Sequence, residues 1–310
     1  MNKYLLIVIG CLVSCHAMAQ GRPFPITDLP SSPRSLSMGG TTTLRDGGCY
    51  VYTQPSNIFM TQDTSMRADY QLGYIDNAKH VNNYTWHTLT MTWRREKQAI
   101  GVGMRYLDMG KLEQNVDKDM NQVPGNGKCM RSFSFDMGYA LQLNSSLSVY
   151  ATAALMSERT LLTTNGCALS TGAAYSSHWH NMAYTAALGI RNVGFYSYQN
   201  TTKMLTPLVY IGGNISLPTW GNQKLTVAVE SGAYVGNGRV KSSCTLSMGV
   251  AYSVCRYLSL RMGTHWGDED NYMAYGLGAR LGKITIETAI KTPVTTNVGK
   301  MYMVGIGVII

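Results

Sequence analysis

Charge is scarce in this chain: 14% of its 310 residues are Asp, Glu, Lys or Arg, where ordinary soluble domains carry about a quarter. That scarcity excludes a coiled coil, whose flanking positions need ions. A hydrophobic share of 45% excludes a disordered chain. The 32 glycines follow no three-residue period, which excludes collagen. Long apolar runs are missing except for Tyr4 to Val13, too short to cross a bilayer as a helix. Proline becomes rare along the chain. Pro23, Pro25, Pro30, Pro33 and Pro55 precede residue 60, and only Pro124, Pro207, Pro218 and Pro293 follow. Proline cannot donate to a sheet ladder, so the early part reads as irregular and the rest as sheet.

The first residues form an export signal. Met1-Asn2-Lys3 is a basic start, Tyr4 to Val13 an apolar stretch, and Ala17-Met18-Ala19 a small-residue cleavage site. Cutting after Ala19 gives the division expected here: signal 1–19, plug-like segment 20–65, sheet 66–310. A rival lies within the same stretch, since Leu12-Val13-Ser14-Cys15 resembles a lipobox that would make Cys15 a lipidated N-terminus. Either route exports the protein. The five later cysteines (Cys49, Cys129, Cys167, Cys244, Cys255) are odd in number and widely spaced. They match neither a disulfide framework nor a zinc site. The net charge of +9 would suit nucleic acid, but export turns the expectation toward lipopolysaccharide or another anionic surface.

From residue 67 onward, apolar side chains recur at every second position. Phe133, Phe135, Met137, Tyr139, Leu141 and Leu143 alternate with Ser132, Ser134, Asp136, Gly138, Ala140 and Gln142. Tyr302, Val304, Ile306 and Val308 alternate with Met303, Gly305 and Gly307. A soluble sandwich would place charges on its second face. Here that face is small or weakly polar, which predicts an apolar wall in lipid around a crowded interior. The expected fold is an all-β antiparallel transmembrane barrel of fourteen strands: 67–74, 85–94, 98–108, 131–144, 147–159, 168–178, 182–193, 208–217, 224–235, 244–254, 257–266, 271–281, 283–292 and 300–310. Short turns on one side and long loops (109–130, 194–207) on the other fit this class.

Alternation predicts that Arg94, Arg105, Asp136, Arg191, Glu230, Arg261, Arg280, Glu287 and Lys291 face the interior. Unpaired charge is costly there, so these side chains should pair with one another or with the plug. They form either a polar conduit or a lattice tying plug to wall. Arg34 could meet a carboxylate such as Glu287, and Met38-Gly39-Gly40 would allow a sharp reversal against the wall. Asp117-Lys118-Asp119 resembles a calcium loop, but Gln122 and Lys128 replace its glycine and glutamate. The acidic run 267–271 reads as a hydrated turn. His178-Trp179-His180 supplies half a metal site without a third ligand. A membrane hydrolase could use His87, but no Gly-x-Ser-x-Gly elbow or phosphate loop accompanies it. No catalysis, cofactor or metal is expected.

The segment Leu29-Pro30-Ser31-Ser32-Pro33-Arg34-Ser35-Leu36-Ser37-Met38-Gly39-Gly40, then Gln54-Pro55-Ser56-Asn57, resembles the opening of the PorV/PorQ family, barrels related to FadL. The stretches Tyr106-Leu107-Asp108-Met109-Gly110 and Leu188-Gly189-Ile190-Arg191-Asn192-Val193-Gly194 look closest to the PorQ branch, where an Asn-Gly corner ends a strand. Gln54 stands where that family usually has Asn. The resemblance implies a plugged, non-catalytic fourteen-stranded barrel in the outer membrane serving type IX secretion. Its partners would be other secretion components or signal-domain cargo. The alternative is a FadL-like transporter of hydrophobic small molecules.

Overall fold

The computed structural model describes residues 24–45, 48–60, 65–76, 83–111, 114–116, 122–124, 129–160, 162–198, 201–221, 223–236, 241–267, 270–294 and 299–310. The expected signal peptide, the Asp117–Asp119 motif, and Asp268 and Glu269 of the acidic run lie outside them.

Alternation of side chains produces the strands. In β6 (Cys129–Gln142), Met137 and Tyr139 are exposed while Ser132, Ser134 and Ala140 are buried. The other strands, in order, are β1 (Met66–Asp76), β2 (Tyr84–Arg95), β3 (Gln98–Lys111), β4 (Gln114–Val116), β5 (Gln122–Pro124), β7 (Leu147–Arg159), β8 (Thr163–Trp179), β9 (Met182–Tyr198) and β10 (Thr201–Met204). They continue as β11 (Leu208–Pro218), β12 (Lys224–Tyr234), β13 (Ser243–Ser253), β14 (Leu258–Trp266), β15 (Tyr272–Leu281), β16 (Ile284–Pro293) and β17 (Lys300–Ile309). Fourteen of them close antiparallel, with β17 against β1 (Arg67 opposite Ile309) and β8 against β9. Closure leaves no unpaired edge, a condition any sheet must meet to cross hydrocarbon.

The outer wall is apolar, and its exposure decides the environment: Leu155 is 63% exposed, Ile211 64% and Leu277 52%. A greasy belt running round the whole barrel far exceeds the patch a monomer tolerates in water.

Two expected loops turn out to contain sheet. β9 continues to Tyr198 and pairs with β10 through Phe195 and Met204, so 194–207 is an extended hairpin rather than an open loop. The β4–β5 ladder lies within 109–130. The expected strand-end corner at Asn192 and Gly194 is corrected too. Both lie inside β9, at an irregularity where the β8 register shifts between Leu169 and Thr171. Asn192 takes a left-handed φ of 59° and its amide donates to Ser170 Oγ at 3.2 Å. A β-bulge re-aims a strand without ending it, and the Asn-Gly pair marks such a bulge.

The described residues 24–45 and 48–60, which precede β1, sit inside the cylinder. A 3-10 turn (Pro25–Thr27), a short helix α1 (Pro33–Ser37) and a second 3-10 turn (Pro55–Met60) run from the loop end to the end with short turns. Ser32 caps α1 by accepting the Ser35 amide at 3.1 Å, and Pro33 supplies a helical φ at its first position. Gly39 and Gly40, at φ 74° and 84°, then reverse the chain. Their contact with the wall is backbone to backbone. A Cβ on Gly39 would lie 2.3 Å from Thr264 O, and one on Gly263 would lie 2.2 Å from Gly39 N.

Candidate functional site

Charges in a narrow interior must be neutralised or hydrogen-bonded, and the inward positions of the strands supply both. Arg67 meets Asp69 at 2.8 Å, Arg261 meets Glu287 at 2.8 Å, and Arg105 approaches Asp136 at 3.6 Å. Lys291 reaches Asp270 at 2.5 Å. The wall also grips the internal segment. Glu230 accepts the Thr42 amide at 2.8 Å and the Thr43 amide at 3.1 Å. Arg191 donates to Thr42 Oγ1 and to Thr53 O, and Asn214 Nδ2 donates to Thr43 O. Arg105 donates to Ile26 O at 2.9 Å and stacks on the Tyr52 ring, while Tyr52 OH donates to Asp136 at 3.0 Å. Arg94 donates to Ile58 O at 3.3 Å and lies over Phe59.

One candidate placement differs from expectation. Arg280 keeps the inward register but stands exposed at the turn end, where its Nε donates to Gly282 O at 3.4 Å. Glu287 is engaged by Arg261 at 2.8 Å through Oε1. The Arg34 carbonyl accepts the Met38 amide and the Ser37 hydroxyl within the first helical turn. Met38 is buried against Ala228 and Ala251, and Pro55 packs near Gly138. His178 Nε2 lies 3.3 Å from Arg45 Nη1, and His180 turns back edge-on to Trp179. The two histidines therefore do not converge. His87 faces outward, its Nδ1 2.8 Å from Tyr70 OH.

The ion pair Arg67–Asp69 was absent from the sequence candidates. Its signal was present: Tyr70 and Leu72 face outward, so the alternate residues Arg67, Asp69 and Gln71 face in. Asp69 also accepts the Cys49 amide at 3.1 Å. Burial, reinforced by the Asp69 charge, pushes the Cys49 thiol well above its usual range. Burial likewise raises the Tyr52 phenol despite the opposing Arg105 cation, so both groups stay protonated, Tyr52 donating to Asp136 and Cys49 Sγ accepting from Gln71 Nε2.

Above these contacts, at the loop end, lies a cavity of about 610 Å³. Pro25, Leu29 and Tyr52 of the internal segment form one side; Arg105, Tyr150, Arg191, Leu208 and Tyr272 of the wall form the other. Beside it is an apolar layer in which Phe24, Ile26 and Leu36 of the segment pack with Trp86, Leu107, Met156 and Met303 of the wall.

With a closed wall, an apolar outer face and a chain segment inside, comparison with solved structures becomes informative. The toluene transporter TbuX of Ralstonia pickettii superposes with a TM-score of 0.59 at 12% identity, covering 89% of this chain and 97% of that one. The CymD monoaromatic hydrocarbon channel gives 0.60 at 13%, covering 93% and 99%. A Pseudomonas aeruginosa FadL homologue gives 0.59 at 8%, covering 94% and 100%. The fold is that of the FadL-type outer-membrane barrels. No family model matches the sequence, and no curated protein matches it. The PorV/PorQ resemblance and the type IX role it implied therefore gain no support, whereas the FadL-like fold does.

Proposed function

We propose that this FadL-type barrel is a conduit for hydrophobic small molecules across the outer membrane, closed by its N-terminal segment. The observation that carries this reading is the apolar layer inside the wall. Phe24, Ile26 and Leu36 occupy the place between Trp86, Leu107, Met156 and Met303 that an apolar ligand would take. Such a ligand would enter the loop-end cavity and displace these side chains, recovering on binding the apolar burial they give up. The hydrogen bonds from Glu230, Arg191 and Arg105 make the segment a discrete latch. The short-turn end faces the periplasm and the loop end the exterior, as in other outer-membrane barrels.

The neighbouring structures are a transporter and channels, which agrees with a non-catalytic role. The test is uptake of labelled toluene and oleate by a host lacking its own channel and expressing this protein. Uptake of either above the empty host supports the reading. Uptake of neither, by the native protein and by a Glu230→Gln variant with a loosened latch, overturns it.

A further inference from the structure

The cations of the described rim are distributed unevenly. At the short-turn end, Arg95, Lys97, Arg256, Arg280 and Lys283 are all exposed, and Glu96 is the one exposed acidic side chain there among the described residues. The loop end carries both signs, with Asp28 and Asp270 exposed beside Arg131, Arg159 and Lys300. The exposed turn-end cations are also confined to one arc; Lys224 at the β11–β12 turn and Arg45 beside His178 are half-buried. The exposed ones occupy the β2–β3, β13–β14 and β15–β16 turns, which lie on one side of the barrel by strand order. On the opposite arc the β6–β7 turn reads Leu143-Asn144-Ser145-Ser146 and the β8–β9 turn His180-Asn181, with no Lys or Arg, and the β11–β12 turn carries only the half-buried Lys224 at its end.

We infer that this arc binds the phosphate headgroups of anionic phospholipids in the leaflet around the short turns. Two observations favour lipid as the occupant. Large aromatic side chains accompany the cations: Trp93 is 56% exposed two residues before Arg95, and Tyr257 is 59% exposed directly after Arg256. Exposed Trp and Tyr on a lipid-facing wall sit at headgroup depth, which places the adjacent cations at the phosphates. Second, Arg95, Lys97, Arg256 and Lys283 form no ion pair with any described residue, so their charges are available to an external anion. Each juxtamembrane cation adds to attraction for an anionic surface, and the effect fades within a Debye length. Lipopolysaccharide, which the basic composition first suggested, belongs to the opposite leaflet from this arc. This inference does not depend on what passes through the barrel.

Native mass spectrometry of the full-length protein, released from nanodiscs containing equal phosphatidylglycerol and phosphatidylcholine, tests it. The native protein should retain phosphatidylglycerol preferentially. The combined variant Arg95→Gln, Lys97→Gln, Arg256→Gln and Lys283→Gln should lose that preference by about tenfold or more. A control with the same charge removed at the loop end (Arg131→Gln, Arg159→Gln, Lys203→Gln, Lys300→Gln) should keep it. Heat-modifiable gel mobility verifies that both variants fold. Equal retention of the two lipids by the native protein overturns the inference, as does an equal loss in both variants. Copurification of an acidic protein without lipid selectivity overturns it too.

Discussion

Glu230 holds Thr42 at two points, accepting its amide at 2.8 Å and its hydroxyl at 2.9 Å from a single carboxylate oxygen. The residues are 188 positions apart, so this one carboxylate ties the internal segment to β12. Replacing Glu230 with Gln removes charge-assisted bonds worth about 1.5–3 kcal/mol each in a dry setting. Amide hydrogen exchange over residues 40–45 should quicken at least tenfold while the strands stay protected. Unchanged exchange there would show that the latch lies elsewhere.

Arg105 links the segment to the wall through Ile26 O and Tyr52 while neutralising Asp136. Arg105→Met leaves Asp136 buried with hydroxyl partners only. Breaking one side of a buried pair costs about 3–5 kcal/mol. The temperature at which the barrel loses its compact gel mobility should fall, and an unchanged value would count against this anchoring role.

The backbone contact between Gly39 and Gly263 leaves no room for a side chain. Gly263→Val should therefore sharply reduce the folded fraction. Gly221 has a left-handed φ of 63° but open space around it, so Gly221→Ala should cost only about 1 kcal/mol of backbone strain. Equal yields from the two variants would show that close approach, as distinct from backbone conformation, does not matter here.

Cys49 is buried beside Asp69, and both factors hold its thiol protonated where an exposed thiol ionises. Since thiolate is the reactive form, a maleimide at pH 8 should label Cys255 on the exposed turn and spare Cys49 until the protein is denatured. The raised value also has a stability consequence. Cys49 contributes stability that is fully present below the ordinary thiol range and is lost as pH climbs above it. Hydrogen exchange around residues 48–53 should increase first in strong alkali.

Ile211 faces outward at 64% exposure. Ile211→Arg near the bilayer middle should cost about 2–4 kcal/mol on folding into vesicles, read from the shift in the urea midpoint. No shift would place that wall outside hydrocarbon.

Much of this was legible in advance. Alternation alone put Arg105, Asp136, Arg191, Glu230, Arg261 and Glu287 on the inner face, because a strand turns successive side chains to opposite sides. The same alternation places Arg67 and Asp69 on that face. Alternation failed where depth matters: Arg280 has the inward register but sits so near the turn that water reaches it. It failed again at Asn192 and Gly194, since a bulge and a strand end carry similar residues.

The linear pattern by itself determined an antiparallel barrel with a greasy exterior, its strand count and its short-turn side, because those follow from local periodicity and turn chemistry. Only the folded chain decided which charges meet, where residues 24–45 and 48–60 lie, and that the exposed turn-end cations gather on one arc. Those are distances between residues far apart in sequence, and they come into being only when the sheet closes.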